Sequence, residues 1–208
     1  MSPKIIDKDS KRFEILMAAM QVFARKGVAG SKMTDIAETA GIGKGTVYEY
    51  FTSKEEIFAL AFQYFFQDIQ QKIQETFKKT EDPIEKLKLV IEVSLHEFLE
   101  SSPDLAGIMM EFWAEGVRNK DKNILATMDI KGIYQMYRKL LAGVIQEGID
   151  RKIFRQTDVM ALAAVLIAAF DGIFLQWIME PGIIELRKVS TVLLDSFLHG
   201  MINERKGS

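Results

Sequence analysis

Apolar side chains recur every three or four residues along almost the whole of this 208-residue chain. That spacing places them on one side of an α-helix, whereas a half-buried strand needs strict alternation over several residues. No alternating run is long enough to predict a strand. The pattern therefore predicts an all-α fold of about nine helices, near residues 9–26, 31–41, 44–51, 54–79, 83–101, 103–117, 123–150, 158–179 and 183–204.

The composition indicates a globular protein and restricts its chemistry. Hydrophobic residues make up 48% and charged residues 27% of the chain, which provides enough apolar surface for a core. Cysteine is absent, and this excludes a disulfide scaffold, a zinc finger and a thiol nucleophile. Two histidines, His96 and His199, are too few for a standard zinc site. We expect neither a metal nor a cofactor.

Recurrent catalytic motifs are also missing. The stretch GIGKGT at 41–46 lacks the spacing of a phosphate-binding loop and follows no predicted strand. Neither G-x-S-x-G nor H-E-x-x-H occurs in the chain. The sequence therefore does not favour an enzyme.

The charges are unevenly distributed. Residues 1–54 carry 9 Lys and Arg against 6 Asp and Glu, whereas residues 55–208 carry 18 against 23. A basic segment on an acidic body is typical of a nucleic-acid-binding domain joined to a domain with another role. We therefore expect a DNA-binding domain at 1–54 and an effector-binding and dimerisation domain at 55–208.

One segment has the length of a membrane span. Val159–Met179 is apolar except for Asp171, Gly172 and Gln176. A carboxylate near the middle of a span costs about 2.5–3.5 kcal/mol, and neither flank is enriched in Lys or Arg. We therefore predict a helix buried in a core or an interface, with no membrane partner. The first 20 residues also lack the pattern of a signal peptide, so we expect a cytoplasmic protein.

The segment Ser31–Lys54 reads SKMTDIAETAGIGKGTVYEYFTSK. It predicts two short helices joined by a tight turn at Gly41-Ile42-Gly43, which is the pattern of a helix-turn-helix. The outer side of the second helix is short and rich in hydrogen-bond donors, as a helix in the major groove must be. A plain helical hairpin with exposed tyrosines is the alternative. The candidate DNA-binding residues are Ser31, Lys32, Thr34, Gly43, Lys44, Gly45, Thr46, Tyr48, Glu49, Tyr50 and Lys54.

Motifs at residues 10–60 occur in a fixed order: Arg12, Ile15-Leu16, Ala18-Ala19, Phe23, Gly27, Thr34-Asp35-Ile36-Ala37, Ala40-Gly41, Lys44-Gly45-Thr46, Tyr48, Tyr50-Phe51 and Ser53-Lys54-Glu55-Glu56. Together they resemble the N-terminal domain of the tetracycline-repressor (TetR) family of bacterial regulators. Three later groups are similar to the ligand domains of one group of these regulators: Glu111-Phe112-Trp113-Ala114-Glu115, Gly148 with Phe154 and Asp158, and Asp171-Gly172-Ile173 with Leu175-Gln176. The resemblance implies a homodimer that binds a palindromic operator and a C-terminal domain that binds a small effector.

Two residues depart from the commonest pattern of that family. Gly43 stands where a serine often caps the recognition helix, so a hydroxyl contact to phosphate is lost. Glu49 stands where histidine or another neutral residue is frequent. An acidic side chain near phosphates either accepts a hydrogen bond from cytosine N4 or turns to solvent.

Soft and aromatic side chains are concentrated in the middle helices, where they favour an apolar pocket or, alternatively, an ordinary core. Asp171 needs a partner inside its apolar helix, and that partner is the effector, the second subunit or a group of the same subunit. The apolar stretches around the pocket contain almost no Lys or Arg, so we expect a fatty, aromatic or lipophilic cationic ligand and not a sugar phosphate. The candidate effector residues are His96, Met109, Met110, Trp113, Tyr134, Tyr137, Phe170, Asp171, Phe174 and Trp177.

The two C-terminal helices predict the dimer interface. The first carries small residues that permit close helix packing, and the second carries Val189, Val192, Leu193, Ser196, Phe197 and Gly200 on one side. Such helices suit a two-fold four-helix bundle. The chain is thus predicted to be a ligand-responsive DNA-binding regulator. The alternatives are a ligand carrier that binds no DNA, and a DNA-binding protein of this fold without an effector.

Overall fold

The computed structural model describes residues 8–100, 108–110, 113, 129–180 and 182–203. These residues are all-α, as predicted, and residues 108–110 and 113 are helical as well. The stretch 118–122 between two predicted helices, the remainder of the predicted helix 103–117 and the first part of the predicted helix 123–150 lie outside the described residues. The longer helices are α1 (Lys8–Gly30), α2 (Met33–Thr39), α3 (Lys44–Tyr50), α4 (Lys54–Phe77), α5 (Pro83–Glu100), α6 (Ile130–Asp150), α7 (Val159–Met179) and α8 (Leu186–Met201).

The chain forms two compact units. The first comprises Met1–Gln67 and Ser101–Ile130, and the second comprises Asp68–Glu100 and Lys131–Ser208. The division falls inside α4, beyond the boundary expected at residue 54. The reason is that the first part of α4 packs into the first unit: the Phe23 and Phe58 rings meet edge to face at 5.5 Å, and those of Phe13 and Tyr64 lie 4.8 Å apart.

Residues 8–67 of the first unit, which we call the head, have a core supplied by all four helices. Ile15, Ile36, Val47 and Phe62 are fully buried in it. α1 loses helical geometry at Gly27, whose φ is 67°, close to the helix end predicted there. The three residues that follow form a separate turn leading to α2.

The second unit contains a helical hairpin whose two outer ends are hydrogen bonded to each other. α7 and α8 pack against each other, and α8 also packs against α5. At the open end, Arg155 N–H donates to Met201 O at 2.8 Å, and Asn203 N–H donates to Ile153 O at 3.0 Å. The Asn203 side-chain amide donates to two further carbonyl oxygens of the same turn. The residues before α7 and those after α8 are therefore joined.

The turn between α6 and α7 contains a close helix-to-ring contact. Lys152, with a φ of 60°, reverses the chain so that the buried Phe154 ring lies against Gly148. Asp158 then caps α7 by accepting from the N–H groups of Met160 and Ala161. These contacts give a physical role to the three residues of the Gly148, Phe154 and Asp158 motif.

α7 is apolar on all sides but is poorly covered within one chain. Only Ala163, Leu166 and Phe174 are buried, and Met179 at its end is 68% exposed. We predicted that this helix is buried either in the core of its subunit or in an interface. The single chain does not bury it in a core. With a mean hydropathy of 2.1, α7 is also the one helix among the described residues long and apolar enough to cross a membrane, by length and composition only.

Candidate functional site

The helix-turn-helix predicted from the sequence is present in the head. α2 ends in a turn where Gly41 has a φ of 66°, and Ile42 N–H donates to Ala37 O at 3.0 Å. α3 then buries Val47, and Phe51 follows it into the core. These anchors fix which side of α3 faces outward.

The outward side of α3 carries the side chains predicted to contact DNA. Lys44, Gly45 and Glu49 are exposed, and Tyr48 is 49% exposed. The Lys44 ammonium lies 5.7 Å from the centre of the Tyr48 ring, a cation–π pair that presents charge and aromatic surface together. We call the set Gly43, Lys44, Gly45, Thr46, Tyr48, Glu49 and Tyr50 the recognition face; Thr46 and Tyr50 are half-buried at its edge, and Gly43 is the exposed N-cap.

The start of α2 is held by two interactions of the Asp35 carboxylate. The helix begins at Met33 with Lys32 as N-cap, and the Asp35 carboxylate accepts from Lys32 N–H at 2.9 Å. Lys26 forms a salt bridge with Asp35 at 2.9 Å. This bridge, together with the bond to Lys32, holds the pKa of the Asp35 carboxyl below its usual range. Lys32 is exposed and Thr34 is half-buried, so both remain on the surface beside α3.

Ser31 requires a correction. It is only 2% exposed, and its hydroxyl donates to Gly27 O at 2.5 Å. The side chain thus satisfies a carbonyl left free where Gly27 interrupts α1, and it is neither the N-cap of α2 nor placed at the surface to meet DNA.

Lys54 requires a second correction. Its ammonium donates to Val28 O at 2.7 Å, Ala29 O at 3.0 Å and Ser31 O at 2.8 Å. An ammonium has three donors, and here all three are used inside the head. A phosphate contact by this predicted DNA-binding residue would require breaking one of these bonds.

In the second unit, α6 and α7 bring predicted effector residues together. The Tyr134 hydroxyl donates to an Asp171 carboxylate oxygen at 2.7 Å, so Asp171 has a partner in its own subunit. Burial raises the pKa of the Asp171 carboxyl, and the bond from Tyr134 offsets part of that rise. Burial also raises the pKa of the Tyr137 hydroxyl. We call the following set the α6–α7 cluster: Tyr134, Tyr137, Phe170, Asp171, Phe174 and Trp177.

The aromatic part of this cluster lies along α7. Phe174 is buried, its ring centre lies 5.5 Å from that of Trp177, and Phe170 precedes it by one turn. The cluster therefore combines apolar ring surface with one half-buried carboxyl group.

Four other effector candidates belong to other elements of the chain. His96, a predicted effector residue, is exposed on α5. Met109 is buried, Met110 is exposed and Trp113 is half-buried, and all three belong to the first unit.

An open groove that sequence reasoning missed lies in the second unit. Its volume is about 480 Å³, and it contains none of the predicted effector residues. Glutamines at helical spacing suggest only a solvated helix face, so no sequence signal marks it. Across the described ranges, no three His, Asp or Glu side chains are close enough to hold a metal ion. The groove is lined by Gln70, Gln74, Gly132, Gln135, Met136, Lys139 and Leu140.

The head and its recognition face define a helix-turn-helix DNA-binding protein, and comparison with known families supports this class. Residues 15–61 match the family model of bacterial regulatory proteins of the tetR family, and residues 83–202 match the C-terminal domain of BetI-type transcriptional repressors. The chain belongs to the TetR family of transcriptional regulators.

Relatives and solved structures agree along nearly the full length. The fatty acid metabolism regulator protein of Bacillus subtilis is 27% identical over 198 residues, covering 95% of this chain and 98% of that protein. The crystal structure of the B. subtilis regulator FadR in complex with stearoyl-CoA has a TM-score of 0.75 and 26% identity, covering 90% of this chain and 98% of that one. A TetR regulator from Haloarcula marismortui shares the fold with a TM-score of 0.82 at 22% identity, covering 94% of this chain and all of that one. Relatives of this chain are transcriptional regulators and not enzymes.

Proposed function

We propose that this chain is a cytoplasmic repressor that binds a palindromic operator as a homodimer and releases it when a hydrophobic molecule binds the second unit. The observation that carries this proposal is the recognition face. Its exposed Lys44, Tyr48 and Glu49 are held outward by the buried Val47 and Phe51. A helix that offers donors, an acceptor and an aromatic ring on one exposed side is suited to the major groove.

Selection of bound duplexes from a random library, using the full-length protein, tests operator binding. We expect a palindrome whose half-sites lie about one helical turn apart. Lys44→Ala should weaken all duplexes and reduce the slope of log affinity against log salt by about 0.9 per lost phosphate contact. Thr46→Ala should act mainly on the selected operator. The charge-matched control is Lys131→Ala, at an exposed position on α6 in the second unit.

Failure to enrich any duplex at low salt would refute operator binding. If Lys44→Ala binds as the wild type does while the operator is still selected, the assignment of the recognition face is wrong and DNA binding itself stands.

The dimer is proposed from the uncovered side of α7 and α8. Val165 and Val192 are 57% and 59% exposed in the single chain. On α8 the buried residues are Leu186, Ser190, Leu194, Leu198 and Met201. Of the residues predicted for the partner subunit, Val192, Ser196 and Gly200 are exposed, whereas Val189, Leu193 and Phe197 are half-buried. A second copy would remove this surface from water, at roughly 25 cal/mol per Å² of apolar area.

A charge on the open side of α8 tests the interface. Val192→Glu should yield monomers in sedimentation experiments, with operator affinity lower by on the order of a hundredfold because two linked heads bind far better than one. Thr191→Glu is the matched control, since the neighbouring Thr191 side chain is exposed and bonded to Arg187 O of its own helix. A wild-type monomer at micromolar concentration would contradict the proposal.

The effector is proposed to be fatty, aromatic or a lipophilic cation that binds the α6–α7 cluster. Ring surface dominates the cluster, and the relative FadR was crystallised with stearoyl-CoA. For a cationic ligand, the Asp171 carboxylate and the Trp177 ring are the proposed acceptors. The effector must bind more tightly to the state in which the two heads are wrongly spaced for successive major grooves. It can release DNA only to the extent of this difference in affinity between the two states.

A thermal-shift screen followed by operator release tests the effector class. The panel should contain long-chain acyl thioesters, alkylammonium ions, neutral aromatics and a sugar phosphate. Stabilisation and DNA release by the apolar members, weakened by Phe174→Ala, are expected. Response to the sugar phosphate alone would overturn the proposed class.

A further inference from the structure

The Lys54 side chain joins two parts of the head that are distant in sequence. It extends from the first residue of α4 to three carbonyl oxygens of the turn between α1 and α2, over a separation of 23 to 26 residues. The three distances, 2.7, 3.0 and 2.8 Å, lie in the normal range of hydrogen bonds, and the charge of the ammonium strengthens each bond.

The turn requires such a partner because Gly27 interrupts α1. With a φ of 67°, Gly27 takes the chain out of the helix, and the carbonyl groups beyond it lose their helical donors. The Ser31 hydroxyl satisfies Gly27 O, and Ser31 N–H reaches Val28 O at 3.3 Å. The ammonium supplies the remaining donors and a positive charge at the carbonyl end of a helix, where the helix dipole favours it.

The fixed turn leads directly to residues that face DNA in the proposed function. Lys32 and Thr34 follow it within three residues, and both are at the surface. On the other side, Lys54 comes three residues after Phe51, which anchors the end of α3. The three bonds therefore set the start of α2 relative to the end of the recognition helix.

We propose that Lys54 is a positioning residue for operator recognition, and that its charge is used within the head and not on a phosphate. This inference rests on the proposed operator binding. A phosphate contact adds affinity for every duplex and contributes to the salt dependence, whereas a positioning bond affects the contacts that need exact placement.

The test compares Lys54→Met, which keeps the apolar stem and removes the donors, with Lys44→Ala and the wild type. Affinities for the selected operator and for an unrelated duplex are measured by fluorescence anisotropy at several salt concentrations, on protein whose helical content matches the wild type. For Lys54→Met we expect operator affinity to fall by about tenfold to a hundredfold, with the unrelated duplex within about twofold and the salt slope unchanged. Lys44→Ala should reduce both affinities and the slope.

Ser31→Ala supplies a second route without any change of charge. It removes the bond to Gly27 O in the same turn and should produce the same pattern to a smaller degree, so the test stands even if Lys54→Met does not fold. A reduced salt slope for Lys54→Met would overturn the inference in favour of a phosphate contact. Unchanged operator affinity in both variants would overturn it in favour of a purely stabilising role. Failure of the operator selection itself is a separate result that concerns the proposed function.

Discussion

Replacing Gly148 with alanine should destabilise the second unit strongly. A Cβ atom built on Gly148 would lie 2.0 Å from Phe154 Cδ2 and 2.3 Å from Cε2. Ordinary contact begins at 3.4 Å, so the ring would have to retreat by about 1.4 Å. Because protein interiors are packed as densely as organic crystals, there is little space into which a phenyl ring can withdraw.

The backbone holds the Phe154 ring in place. Phe154 is 1% exposed, and its N–H donates to Gly148 O at 3.0 Å. The flanking Ile153 and Arg155 are hydrogen bonded to the segment that ends α8. Overpacking a core costs about 1–3 kcal/mol, and expelling a phenyl ring costs about 3–5 kcal/mol. We expect a loss of about 3 kcal/mol, which corresponds to a Tm lower by roughly 6–12 °C for a chain of this size.

Differential scanning calorimetry on a matched pair measures this effect. Gly143 lies on the same helix, and a Cβ there meets no atom within 4 Å, so Gly143→Ala should raise stability by up to about 1 kcal/mol through helix propensity. In a Phe154→Leu background, Gly148→Ala should cost much less. A Tm for Gly148→Ala equal to that of Gly143→Ala would refute the reasoning.

Three further substitutions have defined outcomes. The raised pKa of Asp171 means that the wild type loses stability as pH rises from about 3.8 through the pKa of this carboxyl in the folded state. Above this pH range, Asp171→Asn should therefore have a higher Tm than the wild type. The difference in Tm should shrink on acidification. The lowered pKa of Asp35 has the opposite effect: the ionised carboxylate stabilises the fold at neutral pH, and this stabilisation is lost as pH falls below 3.8. The Tm advantage of the wild type over Asp35→Asn should therefore disappear below that pH. Replacing Lys26 should reduce this Tm advantage at neutral pH. Asp158→Ala removes the α7 cap and should cost about 1 kcal/mol in denaturant unfolding, whereas Thr157→Ala should leave the midpoint unchanged.

Periodicity and turn chemistry made most of the fold predictable. The helix expected at 54–79 is Lys54–Phe77, and the one expected at 158–179 is Val159–Met179. The helix-turn-helix was predictable because Gly41 marks the positive φ, and Val47 with Phe51 marks the inner side. These signals come from residues close together in the chain, so they can be read from the sequence alone.

What could not be predicted depends on contacts between residues that are distant in sequence or on backbone acceptors. Ser31 and Lys54 have the residue types of DNA contacts, but carbonyl oxygens of the α1–α2 turn hold both, and no residue type identifies a backbone acceptor. The Gly148 motif was visible as a resemblance, but its cause, a ring pressed against a helix, appears only in three dimensions. The exposure of His96 could not be predicted, because helical spacing alone does not say how deeply a helix is covered.

The hydrogen bonds that join the outer ends of the α7–α8 hairpin determine where fraying of these two helices begins. Hydrogen bonds of Arg155 and Asn203 close a ring of about fifty residues at one end, whereas at the other end Glu180 N–H donates to Gln176 O and Ile183 N–H donates to Glu180 O. Fraying should therefore start near Glu180 and Ile183, so the amides there should exchange before those at the hydrogen-bonded end. The amides of Arg155 and Asn203 would then report the same opening event and exchange at matching rates, although almost fifty residues separate them.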